Sequence, residues 1–213
     1  MTQTFRVKFS LIALILAIGY SLYQFVNTDW SAFGIHFRYL TIWGLTAAMV
    51  YHASIWLDRR AGRAERYLPM IAATAVLNVM VVYLYWKLYF VDPKLVNGEN
   101  SPVWFQEYYL HLLGPLLIIF DALFISKAAQ GLRGLIMSVV LSLAYVAWCE
   151  IFVGPFNDSP VGSVTSGLPD PFLNDMDVAG RAGFYGSTLA LAVGVYVVFW
   201  IITFVMRKLS PAS

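Results

Sequence analysis

Six apolar stretches, each long enough to cross a lipid bilayer, decide what this chain can become. They run from about 9 to 26, 36 to 57, 68 to 90, 110 to 127, 132 to 153 and 186 to 206. A helix needs about 20 mostly apolar residues to cross a hydrocarbon core about 30 Å thick. In lipid, every backbone polar group must be satisfied within the protein, and a helix does this by itself. The expected fold is therefore all-α: a polytopic membrane protein whose six transmembrane helices form a single domain over residues 1–213. Composition agrees, with 60% hydrophobic and 12% charged residues, against about 25% charged in a soluble domain. This excludes disorder, a fibrous repeat and an ordinary water-soluble enzyme, and it leaves no room for a further soluble domain. A net charge of +2 is too small for a nucleic-acid surface, so no nucleic-acid partner is expected. The single cysteine, Cys149, sits in an apolar run and is expected to be a buried core thiol.

The first apolar run follows Arg6 and Lys8 but lacks a small-x-small cleavage site, which predicts a retained helix rather than a signal peptide. Orientation follows from the cations. Arg6, Lys8, Arg59, Arg60, Arg63, Arg66, Lys127, Arg133, Arg207 and Lys208 fall on one side, predicted to be cytoplasmic together with both termini. In a prokaryote this would be the cytoplasmic membrane. Arg38, Lys87, Lys94 and Arg181 fall on the other side, with the acids Asp29, Asp92, Glu99, Glu107, Asp158, Asp170, Asp175 and Asp177. Two long connections also lie on that outer side. The longer, 154–185, holds Pro155, Pro160, Gly162, Gly167, Pro169, Pro171 and Gly180. Its Phe156, Leu168, Phe172, Leu173 and Met176 supply apolar surface, which predicts a lid docked over an outward-facing cavity.

Polar residues inside the spans carry the functional information, because they are costly there and face the bundle interior or a water-filled cavity. They are Thr41, Thr46, His52, Asn78, Lys87, His111, Asp121 and Glu150. With about 1.5 Å of rise per residue, Thr41, Lys87, His111 and Glu150 share an outer layer. Asp121 lies about 15 Å deeper than His111, and His52 lies toward the cytoplasmic end. Lys87 and Glu150 could pair, Lys87 could snorkel, and Asn78 reads as interhelical glue. Acyl transfer needs a nucleophile and a base within reach. Thr41 and His111 fit those roles by depth, with Glu150 or Glu107 to orient the imidazole. Glu107 precedes His111 by four residues and shares its helix face if the helix starts early enough. A metal set of Glu107, His111, Glu150 and His36 lacks compact ligand spacing, so neither metal nor cofactor is expected. His52 and His111 lie at opposite ends of their helices, which argues against a haem.

Three blocks carry a family likeness. FRYLTIWGLTAAMVY (37–51), YYLHLLGPLLIIFDALF (108–124) and GLPDPFLNDMDVAGRAGFYG (167–186) resemble, in order, the second-helix signature, histidine helix and final outer loop of the androgen-induced-gene-one and FAR-type integral membrane proteins, in a bacterial-type form. Characterised animal members are threonine hydrolases of fatty-acid esters of hydroxy fatty acids. The resemblance implies Thr41 as nucleophile and His111 as base, with Glu150, Glu107, Asp121, Lys87 and Asn78 as possible supports. It implies a membrane lipid or fatty-acid ester as the partner. Two other readings remain open at this point. One is a transporter or channel using Asp121, Glu150 and Lys87 along its path, and the other is a non-catalytic lipid-binding protein. Acyl length, oxyanion donors and oligomeric state are not set by the sequence.

Overall fold

The computed structural model describes residues 1–28, 30, 33–97, 103–157 and 167–209. Among these there is no strand. Six helices are long and apolar enough to cross a membrane: α1 Gln3–Asn27, α2 Leu40–Arg60, α3 Leu68–Val91, α4 Trp104–Ile125, α5 Gly131–Phe156 and α6 Val178–Leu209. Arg6 of α1 pairs with Glu65, and Arg59 beside it reaches Ser126. Lys127 donates to the Met206 carbonyl of α6, so the start of α1 and the end of α6 lie at one end of the bundle. Asp29, Glu99 and Asp158, which entered the charge asymmetry, lie outside the described residues, as do Gly98, Pro102, Pro160 and Gly162 of the two long connections.

Several helices begin before their apolar runs do. Thr2 caps α1 by accepting the Phe5 N–H, so the polar first turns with Arg6 and Lys8 are already helical. α4 starts at Trp104 and α6 at Val178, each taking polar turns from the preceding connection. α2 starts later, at Leu40, because 36–38 belongs to a separate 3₁₀ turn, Ile35–Arg38.

α3 is the hub. It packs against α2, α4, α5 and α6, while α1 leans on α2 and α4. Its apolar residues run all round the helix, as expected of a segment enclosed by neighbours. Ile71, Ala72, Ala75, Val76 and Met80 are buried against Ile55 of α2, Ile118 of α4 and Tyr196 and Phe199 of α6. Small residues set the close approaches. A Cβ on Gly134 would lie 2.5 Å from the Tyr196 hydroxyl oxygen, so any larger residue would push the Tyr196 ring aside where α5 meets α6. Gly44 fits against Asn78 and Val81 of α3, and the Asn78 amide donates to the Gly44 and Thr74 carbonyls, at 3.4 and 2.9 Å. Asn78 is thus a tie between α2 and α3.

Three widened turns, with N–H groups reaching back five residues, interrupt α4 and α5. They are Tyr109–Leu113, Asp121–Ile125 and Trp148–Val153. Two of them precede a Gly-Pro pair, Gly114-Pro115 and Gly154-Pro155. Proline offers no N–H, and its ring crowds the carbonyl four residues back. For Pro115 that carbonyl belongs to His111. The Gly114 N–H bonds to Tyr109 instead, and the released His111 carbonyl accepts the Trp86 indole N–H at 2.8 Å. Widened turns of this kind recur at functional sites, and this one carries the histidine.

Candidate active site

Thr41 is the second residue of α2. The chain reaches it through a left-handed pair, Gly34 (φ 76°) and Ile35 (φ 49°), then the 3₁₀ turn, then an extended Tyr39 at the helix N-cap. A β-branched residue at positive φ is strained, and the surrounding side chains hold the segment down. The Trp43 and Trp148 indoles both donate to the Phe37 carbonyl, at 2.8 and 3.1 Å. The Tyr145 hydroxyl donates to the Arg38 carbonyl at 3.1 Å. Donors from α2 and α5 therefore fix where α2, and with it Thr41, begins.

Across from it, His111 is buried on the widened turn of α4. Its Nε2 lies 3.2 Å from Thr41 Oγ1. Tyr85 of α3 stacks flat on the imidazole, with centroids 3.5 Å apart and planes 4° from parallel. Together with the Trp86 bond to the His111 carbonyl, this locks the ring plane and the backbone that carries it. On the far side of the ring, Nδ1 stands 3.1 Å from Glu107 Oε2, one turn earlier on the same helix. That approach is short but not in line with an N–H, so the contact is an electrostatic one rather than a completed hydrogen bond. The early start of α4 is what puts Glu107 on this face.

Three side chains are thus in series: hydroxyl, imidazole, carboxylate. They line a cavity of about 680 Å³, in the size range of small-molecule and lipid-sized ligands. Its walls are mainly apolar, with Leu77, Met80, Val81 and Leu84 of α3 and Leu189 and Ala192 of α6. Pro169, Asp170, Phe172 and Leu173 of the long connection close over it. This stretch is tied down: Asn174 bonds both the N–H and the carbonyl of Leu168, at 3.1 and 3.0 Å. Asn157 donates to the Gly167 carbonyl at 2.8 Å. A Cβ on Gly167 would lie 2.3 Å from the Gly154 and Asn157 carbonyl oxygens, so only glycine lets the strap lie this close. Leu168 and Leu173 are buried against Cys149, and Tyr145, Trp148 and Phe172 pack around them. Residues 167–174 are therefore docked as a cover over the cavity, while 158–166 lie outside the described residues.

Burial of Asp170, with no cation offsetting it, pushes its carboxyl from the ordinary 3.8 up to about 6. A raised carboxyl means that the docked form binds more protons than the undocked one between those two values. Docking of 167–174 is accordingly expected to be strongest below about pH 4, to weaken as pH rises through about 6, and to level off above. Hydrogen exchange of this stretch against pH reads this directly, and Asp170→Asn should flatten the profile.

The other sequence candidates fall elsewhere. Glu150 does not reach His111 or Lys87. Its carboxylate takes the Arg181 guanidinium at 2.9 Å and the Tyr185 hydroxyl at 2.8 Å, both on the early turns of α6. Glu150 lies on the widened turn Trp148–Val153 and is not part of the cavity lining. Lys87 is exposed, with its ammonium 5.6 Å from the Tyr83 ring centre. Asp121 is fully buried in a bidentate pair with Arg59, remote from the cavity lining. The metal set that joined Glu107 and His111 to Glu150 is not assembled, and among the described residues no group of three His, Cys, Asp or Glu could hold an ion. Arg38, which by sequence reads only as an outer-side charge, is 7% exposed and lines the same cavity. Its signal was position: it stands three residues before Thr41.

The FAR-17a/AIG1-like protein family model matches residues 5–210, and the chain belongs to that family. Comparison with curated proteins and with solved structures gives no significant match.

Proposed function

We propose that this protein is an intramembrane lipid ester hydrolase, with Thr41 as nucleophile and His111 as general base. The observation that carries the reading is the 3.2 Å approach of Thr41 Oγ1 to His111 Nε2 inside a lipid-sized apolar cavity. A hydroxyl becomes an effective nucleophile when a base takes its proton during attack. With the proton on Nδ1, next to the Glu107 carboxylate, Nε2 is free to accept. Thr41 Oγ1 attacks the ester carbonyl while its proton passes to Nε2. The tetrahedral intermediate then expels the alcohol, which takes that proton, and leaves an acyl-threonine. Water attacks the acyl-threonine with His111 again as base, and the fatty acid leaves. Negative charge on the carbonyl oxygen develops at the N-terminus of α2. The Ile42 and Trp43 N–H groups turn back to the Tyr39 carbonyl, which leaves those of Leu40 and Thr41 as the first-turn donors available for it. By family likeness, the substrates are fatty-acid esters of hydroxy fatty acids.

A fluorophosphonate probe tests the nucleophile. Wild-type protein in detergent should be labelled at Thr41, Thr41→Ala should give no label, and Thr41→Ser should regain part of it. Equal labelling and ester cleavage with Thr41→Ala would sink the reading.

A further inference from the structure

Among the described residues, Arg38 is the only lysine or arginine lining the main cavity, and it is more than nine-tenths buried. A guanidinium out of water is costly unless a counter-charge and hydrogen bonds compensate it. Its compensation here is thin. Nη1 is 3.4 Å from Asn157 Oδ1, a long bond to a neutral amide. The guanidinium carbon lies 5.1 Å from the Tyr39 ring centre, and Nε has no partner. Among the described residues no carboxylate comes within ion-pairing distance of it. The two acids that line the same cavity are engaged or directed elsewhere. Glu107 faces His111. Asp170 is raised by burial with no cation opposing that burial, so Arg38 is not serving it. His36, also on the lining, has its pKa lowered by burial and is no standing cation. Among the described residues, one fixed positive charge is therefore left over in an apolar cavity, three residues before the candidate nucleophile.

We propose that Arg38 is a specificity-determining residue that takes the free carboxylate of an acyl ligand lying in this cavity, with the ligand's ester placed toward Thr41. This rests on the hydrolase reading for the ester and on Arg38 alone for the carboxylate. The planar guanidinium presents paired N–H donors that match the two oxygens of a carboxylate. A single ligand charge would neutralise the single cation. The Asn157 amide, which also holds the Gly167 carbonyl, links the occupied guanidinium to the cover stretch.

The test separates the carboxylate from the chemistry. Oleate and its methyl ester are titrated against purified protein in detergent, both in wild type and in the Thr41→Ala background, with Arg38 intact, changed to Gln and changed to Lys. Oleate should lose about tenfold or more in affinity with Arg38→Gln, methyl oleate should change little, and Arg38→Lys should recover part of the oleate binding. Octadecyl phosphate in a parallel titration identifies the anion: oleate should bind the tighter of the two, and a preference for the phosphate would overturn the carboxylate assignment. Equal loss of both oleate and methyl oleate, or loss of neither, would show that Arg38 only holds the fold together and would overturn the proposal. Thermal unfolding of each variant is read alongside, and Arg38→Lys keeps the experiment decisive if Arg38→Gln does not fold. Because binding is read in Thr41→Ala as well, a failure of the hydrolase mechanism leaves this result standing, and a failure of Arg38 leaves the mechanism standing.

Discussion

Replacing His111 by alanine is expected to lower kcat/KM for a fatty-acid ester about 10²- to 10⁴-fold, the usual contribution of a positioned general base. At about 1.36 kcal/mol per decade, that is about 3–5 kcal/mol of transition-state stabilisation. The loss should fall on kcat, since the imidazole is needed for proton transfer and the ester sits against apolar walls it does not supply. The fold should tolerate the change. Trp86 donates to the backbone carbonyl at 111, which any residue provides, and Pro115 keeps the widened turn. The void left beside Tyr85 costs stability, so unfolding is measured in parallel. Glu107→Gln should cost about tenfold, because an amide near Nδ1 no longer steadies the imidazolium formed during attack. The double variant Thr41→Ala with His111→Ala should be scarcely worse than either alone, because groups acting as one unit are not additive. Full activity in His111→Ala, with ester hydrolysis measured on folded protein, would remove the base from the mechanism.

The bundle was legible because its signal is one-dimensional. Length and apolarity along the chain are enough to find six spans, and a polar layer can be read from rise per residue. Depth is only one of three coordinates, however. It put Thr41, His111, Glu150 and Lys87 at a common level, yet only the first two meet. A helix turns about 100° per residue, so each residue inserted by a widened turn rotates everything beyond it by about that angle. Glu150 sits within the turn at Trp148–Val153, where regular helical periodicity does not predict which way a side chain faces. What the sequence does show is the Gly-Pro pair that follows this turn and the one at Tyr109–Leu113, Gly154-Pro155 in α5 and Gly114-Pro115 in α4, which marks an irregularity without giving the angle. Glu107 was found because spacing by four on one helix survives such uncertainty. Arg38 was passed over for a different reason: outside an apolar run, a cation reads as a topology marker. Arg59 likewise has a role that its place among the cations does not reveal. It belongs to the basic side by count, yet its guanidinium is spent inside the protein on Asp121.

That buried pair is the second place where a single substitution should matter most. Arg59 and Asp121 are joined by two hydrogen bonds of 2.8 and 2.6 Å, with side chains 1% and 0% exposed. Ser126 donates to Asp121 at 2.8 Å and accepts from Arg59 at 3.0 Å. Glu65, in the connection between α2 and α3, takes the Arg59 Nε–H at 2.7 Å and also pairs with Arg6 of α1. Burial alone would raise the Glu65 carboxyl, but the arginines outweigh it and hold it below the usual range. Two cations and two anions thus close on each other, tying α1, α2 and α4 at the end of the bundle that carries the termini. A buried pair contributes little beyond what apolar residues would, but breaking it leaves a charge stranded in low dielectric, at about 3–5 kcal/mol. Asp121→Ala is expected to destabilise by that amount. Arg59→Met should cost at least as much, since it strands both Asp121 and most of Glu65. Asp121→Asn should cost less, because the amide still meets Arg59 and Ser126 and Arg59 keeps Glu65. Denaturation in detergent gives the order. The same variants bear on the rival reading of a conduction path through Asp121: a carboxylate held by three hydrogen bonds and closed to solvent should alter stability far more than any flux. Substrate-dependent flux in liposomes that disappears with Asp121→Asn, while the variant unfolds at the wild-type midpoint, would reverse that conclusion.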